Sequence, residues 1–187
     1  KATVIACLAF VMIGCKSSPP PIMATIPVFS LTTTDGSPFK SDALVGQPYV
    51  ASFFFTSCQT ICPVVMNGVR GVLSKADASG IKLRAISITV DPDNDTPERL
   101  ASYQGKETID ASRWTLLTGD KATVETVVVK GFMAYMGTRE EIEGGLFDIG
   151  HEARLMLIDP LGRLRGIFEA DEAGQAALID RAKLLQR

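Results

Sequence analysis

The chain has 187 residues, 46% of them hydrophobic, which suits one globular domain with a real core. Its formal net charge of −2 lacks the basic footprint of a nucleic-acid-binding protein. Its single histidine, His151, excludes a multi-histidine metal site and a Cys₂His₂ zinc finger within one chain.

The four cysteines fall into two groups, Cys7 and Cys15 near the start and Cys58 and Cys62 further in. Lys1 precedes the apolar run Ala2 to Gly14, which is too short to span a bilayer as a helix. The run resembles the h-region of an export signal. It closes on Met12-Ile13-Gly14-Cys15, which looks like a bacterial lipobox with a less usual residue at Met12. Residues 1–14 then read as a lipoprotein-type signal, cut before a lipidated Cys15. The expected location is extracytoplasmic, with the lipid anchor in a bacterial membrane, on the periplasmic side in a Gram-negative cell. An uncleaved anchor or a frayed apolar terminus is the plainer alternative. Residues 15–27, with Pro19, Pro20, Pro21 and Pro27, read as an extended linker, because proline favours polyproline II over packed structure.

The domain is expected over residues 28–187. Thr34-Asp35-Gly36-Ser37-Pro38 is turn chemistry and predicts an N-terminal β-hairpin. A strand follows from Tyr49 to Phe55. Apolar residues at 65, 69, 72, 73 and 76 mark a helical stripe that should stop at Gly80. Ile81 to Val90 is β-branched and strand-like. A capping residue ahead of Pro97 predicts a helix toward Tyr103. Trp114 to Leu117 reads as a short strand, and Asp120 as the cap of a helix carrying Val124, Val127 and Val128 and stopped by Gly131. Gly144 to Gly150 reads as a mobile loop or a loose surface connection. Arg154 to Ile158 and Arg163 to Phe168 flank the turn Asp159-Pro160-Leu161-Gly162, and Asp171 caps a last helix through Leu178, Ala182 and Leu185. Strands alternating with helices predict an α/β fold with a mixed central sheet flanked by helices.

The chemistry sits in Phe55-Thr56-Ser57-Cys58-Gln59-Thr60-Ile61-Cys62-Pro63, where a strand gives way to a helix. A helix N-terminus lowers a thiol's pKa, and the thiolate is both nucleophile and metal ligand. Pro63 suits the first helical turn, which needs no N–H there. The pair is thus a redox couple or a soft-metal clamp; two small buried hydrophobes are the bland alternative. Helical residues i and i+4 lie about 6 Å apart, within disulfide range. A thiol pair after an early strand makes the fold thioredoxin-like. Asp91, Asp93 and Asp95 invite a calcium reading, but the EF-hand glycine and distal glutamate are missing, and turn or cap roles fit better. No G-x-S-x-G pattern supports a serine hydrolase.

Four stretches in order carry a family resemblance: the cysteine segment, Val90-Asp91-Pro92-Asp93-Asn94-Asp95-Thr96-Pro97, Trp114-Thr115-Leu116-Leu117-Thr118-Gly119, and His151-Glu152-Ala153-Arg154-Leu155-Met156-Leu157-Ile158-Asp159-Pro160-Leu161-Gly162. Over most of residues 28–187 the chain resembles the Sco/SenC family of copper-binding, thioredoxin-fold proteins, which serve assembly of the copper centre of cytochrome c oxidase. The resemblance implies Cys58 and Cys62 as metal and redox cysteines and His151 as third ligand. It implies copper as the bound metal, the copper-bearing oxidase subunit or another copper protein as client, and a thiol–disulfide donor as second partner. Gln59 departs from the family, which usually has proline there, and loosens the loop. Asp91 is a candidate to support the site without being a ligand, because such sheets bring successive strand ends near the cysteines. A thiol–disulfide oxidoreductase that reduces partner cysteines is the alternative function. A peroxidase is a third, with Arg84 or Arg154 as the cation that Cys58 would need.

Overall fold

The computed structural model describes residues 20–142 and 146–185. Cys7, Cys15 and the proposed signal lie outside the described residues. Among the described residues, ten strands and four α-helices form one mixed sheet with helices packed on it, plus a separate hairpin. The strands of the main sheet are β1 (Ala24–Thr25), β2 (Ser30–Thr33), β3 (Pro38–Lys40), β4 (Tyr49–Phe54), β5 (Arg84–Thr89), β6 (Trp114–Thr118), β9 (Leu155–Ile158) and β10 (Arg163–Phe168). Their order across the sheet is β1-β10-β9-β4-β5-β6-β2-β3. β4, β5 and β6 run parallel, and β9 lies antiparallel to β4.

β4 sits at the centre and is buried on both faces, which explains its unbroken apolar run. Its Ser52 Oγ is 2.7 Å from Ser87 Oγ, which also accepts from Trp114 Nε1 at 2.8 Å. That triangle satisfies the polar atoms of an otherwise apolar layer. α1 (Cys62–Ala78) lays Val65, Val69, Val72 and Ala76 on the sheet, the stripe expected from their spacing. It stops at Gly80, whose φ of +67° is the left-handed conformation that glycine adopts without strain. α2 (Pro97–Lys106) is capped by Thr96, whose hydroxyl accepts from Arg99 N–H. α4 (Glu172–Lys183) packs beside α1, and the β9–β10 hairpin turns through Gly162 at φ +74°.

Three expectations change, and the expected N-terminal hairpin is present as β2–β3. Residues 20–27 are not a free linker. β1 pairs with β10, and the buried Arg165 guanidinium donates to the Pro20 carbonyl while paired with Asp159 at 2.7 Å. The β2–β3 hairpin is the sheet's edge, since β2 also pairs with β6. The helix after Asp120 is α3 (Lys121–Glu125) and continues as a π-helical turn over Thr126–Gly131. The expected mobile loop is largely strand: β7 (Met136–Ile142) pairs with β8 (Leu146–His151) as a two-stranded sheet.

Candidate metal centre

Each cysteine is placed by the end of β4. After Phe54 the chain turns, with Cys58 N–H donating to the Phe55 carbonyl at 3.2 Å. Cys62 is the first residue of α1 and is 1% exposed; Cys58 is half-buried in the turn before it. Only one of the pair is therefore helical, a correction to the i, i+4 helix picture. The Cys58 sulfur accepts the Cys62 backbone N–H at 3.3 Å. That N–H is one of the unpaired donors of a helix start, and the sulfur satisfies it.

His151 ends β8, opposite Met136 of β7. Its Nε2 lies 3.3 Å from Cys62 Sγ, and its ring stands edge-on to Phe55. Nδ1–H donates to the Glu152 carbonyl at 3.0 Å, the tautomer that leaves the Nε2 lone pair facing the sulfur. The ligand atoms of Cys58, Cys62 and His151 all lie within 4.8 Å of one another, the one such group of three or more among the described residues.

The Cys62 proton has two acceptors in reach, Cys58 sulfur and His151 Nε2. Hydrogen bonding from the Cys62 thiol, the largest cause, with the Cys62 N–H and Thr60, pulls the Cys58 thiol down to about 3, against the opposing pull of burial. The same shared hydrogen bond, with burial, pushes the Cys62 thiol up. One thiolate and one retained proton are what a closely spaced pair gives at neutral pH; a bound cation takes that proton's place. Two thiolates and an imidazole suit copper in either oxidation state, and zinc also accepts such donors.

Asp91, expected near the pair, holds the histidine hairpin. Its Oδ2 accepts from Arg139 of β7 at 2.6 Å, and its Oδ1 accepts from Asn94 at 2.8 Å. The Arg139 guanidinium also covers the Phe147 ring of β8 at 4.0 Å. The three aspartates face different partners: Asp93 pairs with Lys121, and Asp95 is buried under the cysteine turn. Asp95 is the residue that sequence reasoning missed. It accepts from the Thr56 N–H and hydroxyl and from the Thr89 hydroxyl, with Arg99 at 3.7 Å. It thereby ties the first residue of the cysteine turn to β5 and α2. Burial raises its pKa, and the two threonines oppose that rise. The pattern Asp-Thr-Pro reads as a helix start, so its sequence context signals a cap instead.

Comparison with known proteins follows the same lines. The family model SCO1/SenC matches residues 19–186. The chain is 29% identical to the SCO1 protein homolog of Bacillus subtilis over 145 residues, covering 77% of this chain and 73% of that one. A SCO1/SenC family lipoprotein from Bacillus anthracis superposes with a TM-score of 0.80 at 28% identity, covering 91% of this chain and all of that one. Bradyrhizobium japonicum ScoI, with copper bound, gives a TM-score of 0.72 at 26% identity, covering 87% and 100%. BsSco, described as a member of the Sco family of cytochrome c oxidase assembly proteins with a disulfide switch, gives 0.74 at 25%, covering 90% and 98%. The fold is thus the thioredoxin-like one of the Sco structures. The match of the family model over nearly the whole chain, together with the cysteine pair and histidine gathered at the end of β4, places this chain in the SCO1/SenC family.

Proposed function

We propose that this protein is a copper carrier. It holds Cu(I) or Cu(II) through Cys58, Cys62 and His151 and delivers it for maturation of the cytochrome c oxidase copper centre. The convergence of two sulfurs and one imidazole nitrogen within 4.8 Å, from distant parts of the chain, carries the reading. Copper is supported by the copper-bound ScoI likeness, and oxidase assembly by the BsSco likeness. The Bacillus anthracis lipoprotein supports an extracytoplasmic protein whose residues 1–14 are a signal and whose Cys15 carries the lipid. No helix among the described residues is long and apolar enough to cross a membrane.

The same pair supports a second activity, thiol–disulfide exchange with partner cysteines, because Cys58 is held as a partly exposed thiolate beside Cys62. The two cations suggested for a peroxidase are engaged with other partners. Arg84 sits at the far end of β5 and donates to the Ala43 carbonyl, and Arg154 is paired with Glu152. The test uses His151→Ala in a cell whose own copy is deleted. Thiol exchange does not require the imidazole, whereas Cu(II) binding favours it. Loss of oxidase assembly in this variant supports metal delivery. Normal assembly, with only Cys58 and Cys62 needed, would identify a reductase.

The histidine hairpin makes a second prediction. A two-stranded hairpin is marginal alone. This one is held down by the buried Ile149 and by the Arg139–Asp91 pair, whose carboxylate is 6% exposed. Arg139→Gln should weaken Cu(II) binding about tenfold, the lower end for outer-shell partners of a metal site. Cu(I), held mainly by sulfur, should change little. Equal Cu(II) affinities in competition titrations of variant and wild type would mean that Ile149 alone fixes the hairpin.

A further inference from the structure

A cleft of about 650 Å³ opens beside Cys58. One wall is a single face of α2, where Arg99, Tyr103 and Lys106 follow one another at helical spacing. The other wall carries the side-chain amides of Gln59 and Asn67. The Gln59 amide offers a donor and an acceptor, which is what an extended backbone needs, and Asn67, whose Oδ1 already accepts from Arg70, offers its N–H donors.

The charge in the cleft is layered. The Arg99 guanidinium lies over the buried Asp95, and that of Arg139 over the buried Asp91. The carboxylates lie beneath, and the cationic groups line the cleft. Lys106 is exposed in the last turn of α2, and Glu107 is the one carboxylate of the lining. Seven residues separate Arg99 from Lys106, about 10 Å along a helix. Because the buried carboxylates offset the guanidinium charges at a distance, this surface favours anions at contact rather than steering them from afar.

The position matters for transfer. Cys62 is buried, so a partner's sulfur reaches the pair through the half-buried Cys58, at the edge of this cleft. On the α1 side of the pair, Ile61 and Val64 are exposed apolar side chains that offer a further anchor. We infer that the cleft is the docking site for an extended, acidic, cysteine-bearing segment of the partner polypeptide. Its carboxylates meet Arg99 and Lys106 while its sulfur meets Cys58. The inference rests on the proposed function, in which copper or electrons pass to partner cysteines.

The test uses the full chain, reduced and free of copper. The probes are two peptides of equal length, each with one cysteine flanked by glutamates or by lysines and capped as the mixed disulfide with nitrothiobenzoate. The Cys58 thiolate attacks the peptide sulfur and expels the coloured nitrothiobenzoate thiolate. Cys62, giving up its proton to solvent, then displaces the peptide thiolate, leaving peptide thiol and a Cys58–Cys62 disulfide. Two electrons pass from the protein pair to the probe. The readout is the acidic-to-basic rate ratio, compared between proteins so that intrinsic peptide reactivity cancels. Lys106→Glu should lower that ratio about fivefold, the scale of one exposed ion pair at contact, and Arg99→Gln should lower it in the same direction. Copper titration of Lys106→Glu should match wild type. An unchanged ratio in both variants overturns the docking site even if copper binding is normal. A wild-type protein that binds no copper yet shows the charge-dependent ratio would overturn the carrier reading and leave the docking site standing.

Discussion

Oxidation of the protein to a Cys58–Cys62 disulfide is expected to remove nearly all of its copper binding. The thiolate is the metal ligand, and a disulfide consumes both sulfurs at once. The sulfurs already lie within 4.8 Å, and bonding requires about 2.05 Å. Cys62 is fixed in the first turn of α1, so the closing movement falls to the turn that carries Cys58. His151 alone then remains. Even outer partners of a metal site are worth about ten- to a hundredfold in affinity, so losing two direct ligands should cost more than about a hundredfold. Alkylation with mass spectrometry reports the disulfide, and metal analysis reports the copper. Equal copper loading of oxidised and reduced protein would show that the two chemistries do not share a site. An extracytoplasmic location would make this gate relevant, since disulfides persist in oxidising compartments.

The sequence showed the cysteine turn and the parallel strands because their signals are local. Tyr49 to Phe55 is an apolar run closed by a thiol pair and a proline, and the Val65 to Ala76 stripe has the period of one helix face. What it hid depends on partners far along the chain. β7 reads Met-Gly-Thr-Arg-Glu-Glu-Ile, with no alternation of apolar and polar residues, and Gly150 interrupts β8. That hairpin is held through Arg139 on Asp91, 48 residues apart, which no local pattern encodes. Asp95 was hidden in the same way, because its bonds to Thr56 and Thr89 cross between strand ends. β1 was masked by the prolines on either side of it, which suggest a linker while Arg165 secures the Pro20 carbonyl to the domain. The π-helical turn at Thr126–Gly131 replaces an ordinary helix end where Val127 and Val128 both stay buried.

The second large effect concerns His151. Cu(I) is soft and tolerates two thiolates alone, whereas Cu(II) needs more donors and favours imidazole nitrogen. The Nδ1–H bond to the Glu152 carbonyl holds the ring with Nε2 toward the sulfurs, so removing the ring takes away an aligned donor. His151→Ala should therefore lose Cu(II) affinity by more than about a hundredfold, by the same scale of ligand contributions, and keep most of its Cu(I) affinity. It should still form the Cys58–Cys62 disulfide, which involves neither ring nitrogen.

Titration of reduced wild type and His151→Ala with Cu(II), beside a Cu(I) competition on the same samples, tests most directly whether the three residues act as one copper site. The three-donor site predicts a collapse of Cu(II) binding with Cu(I) binding largely retained. Cu(II) bound as tightly by the variant as by wild type would contradict it, and would remove His151 from the ligand set.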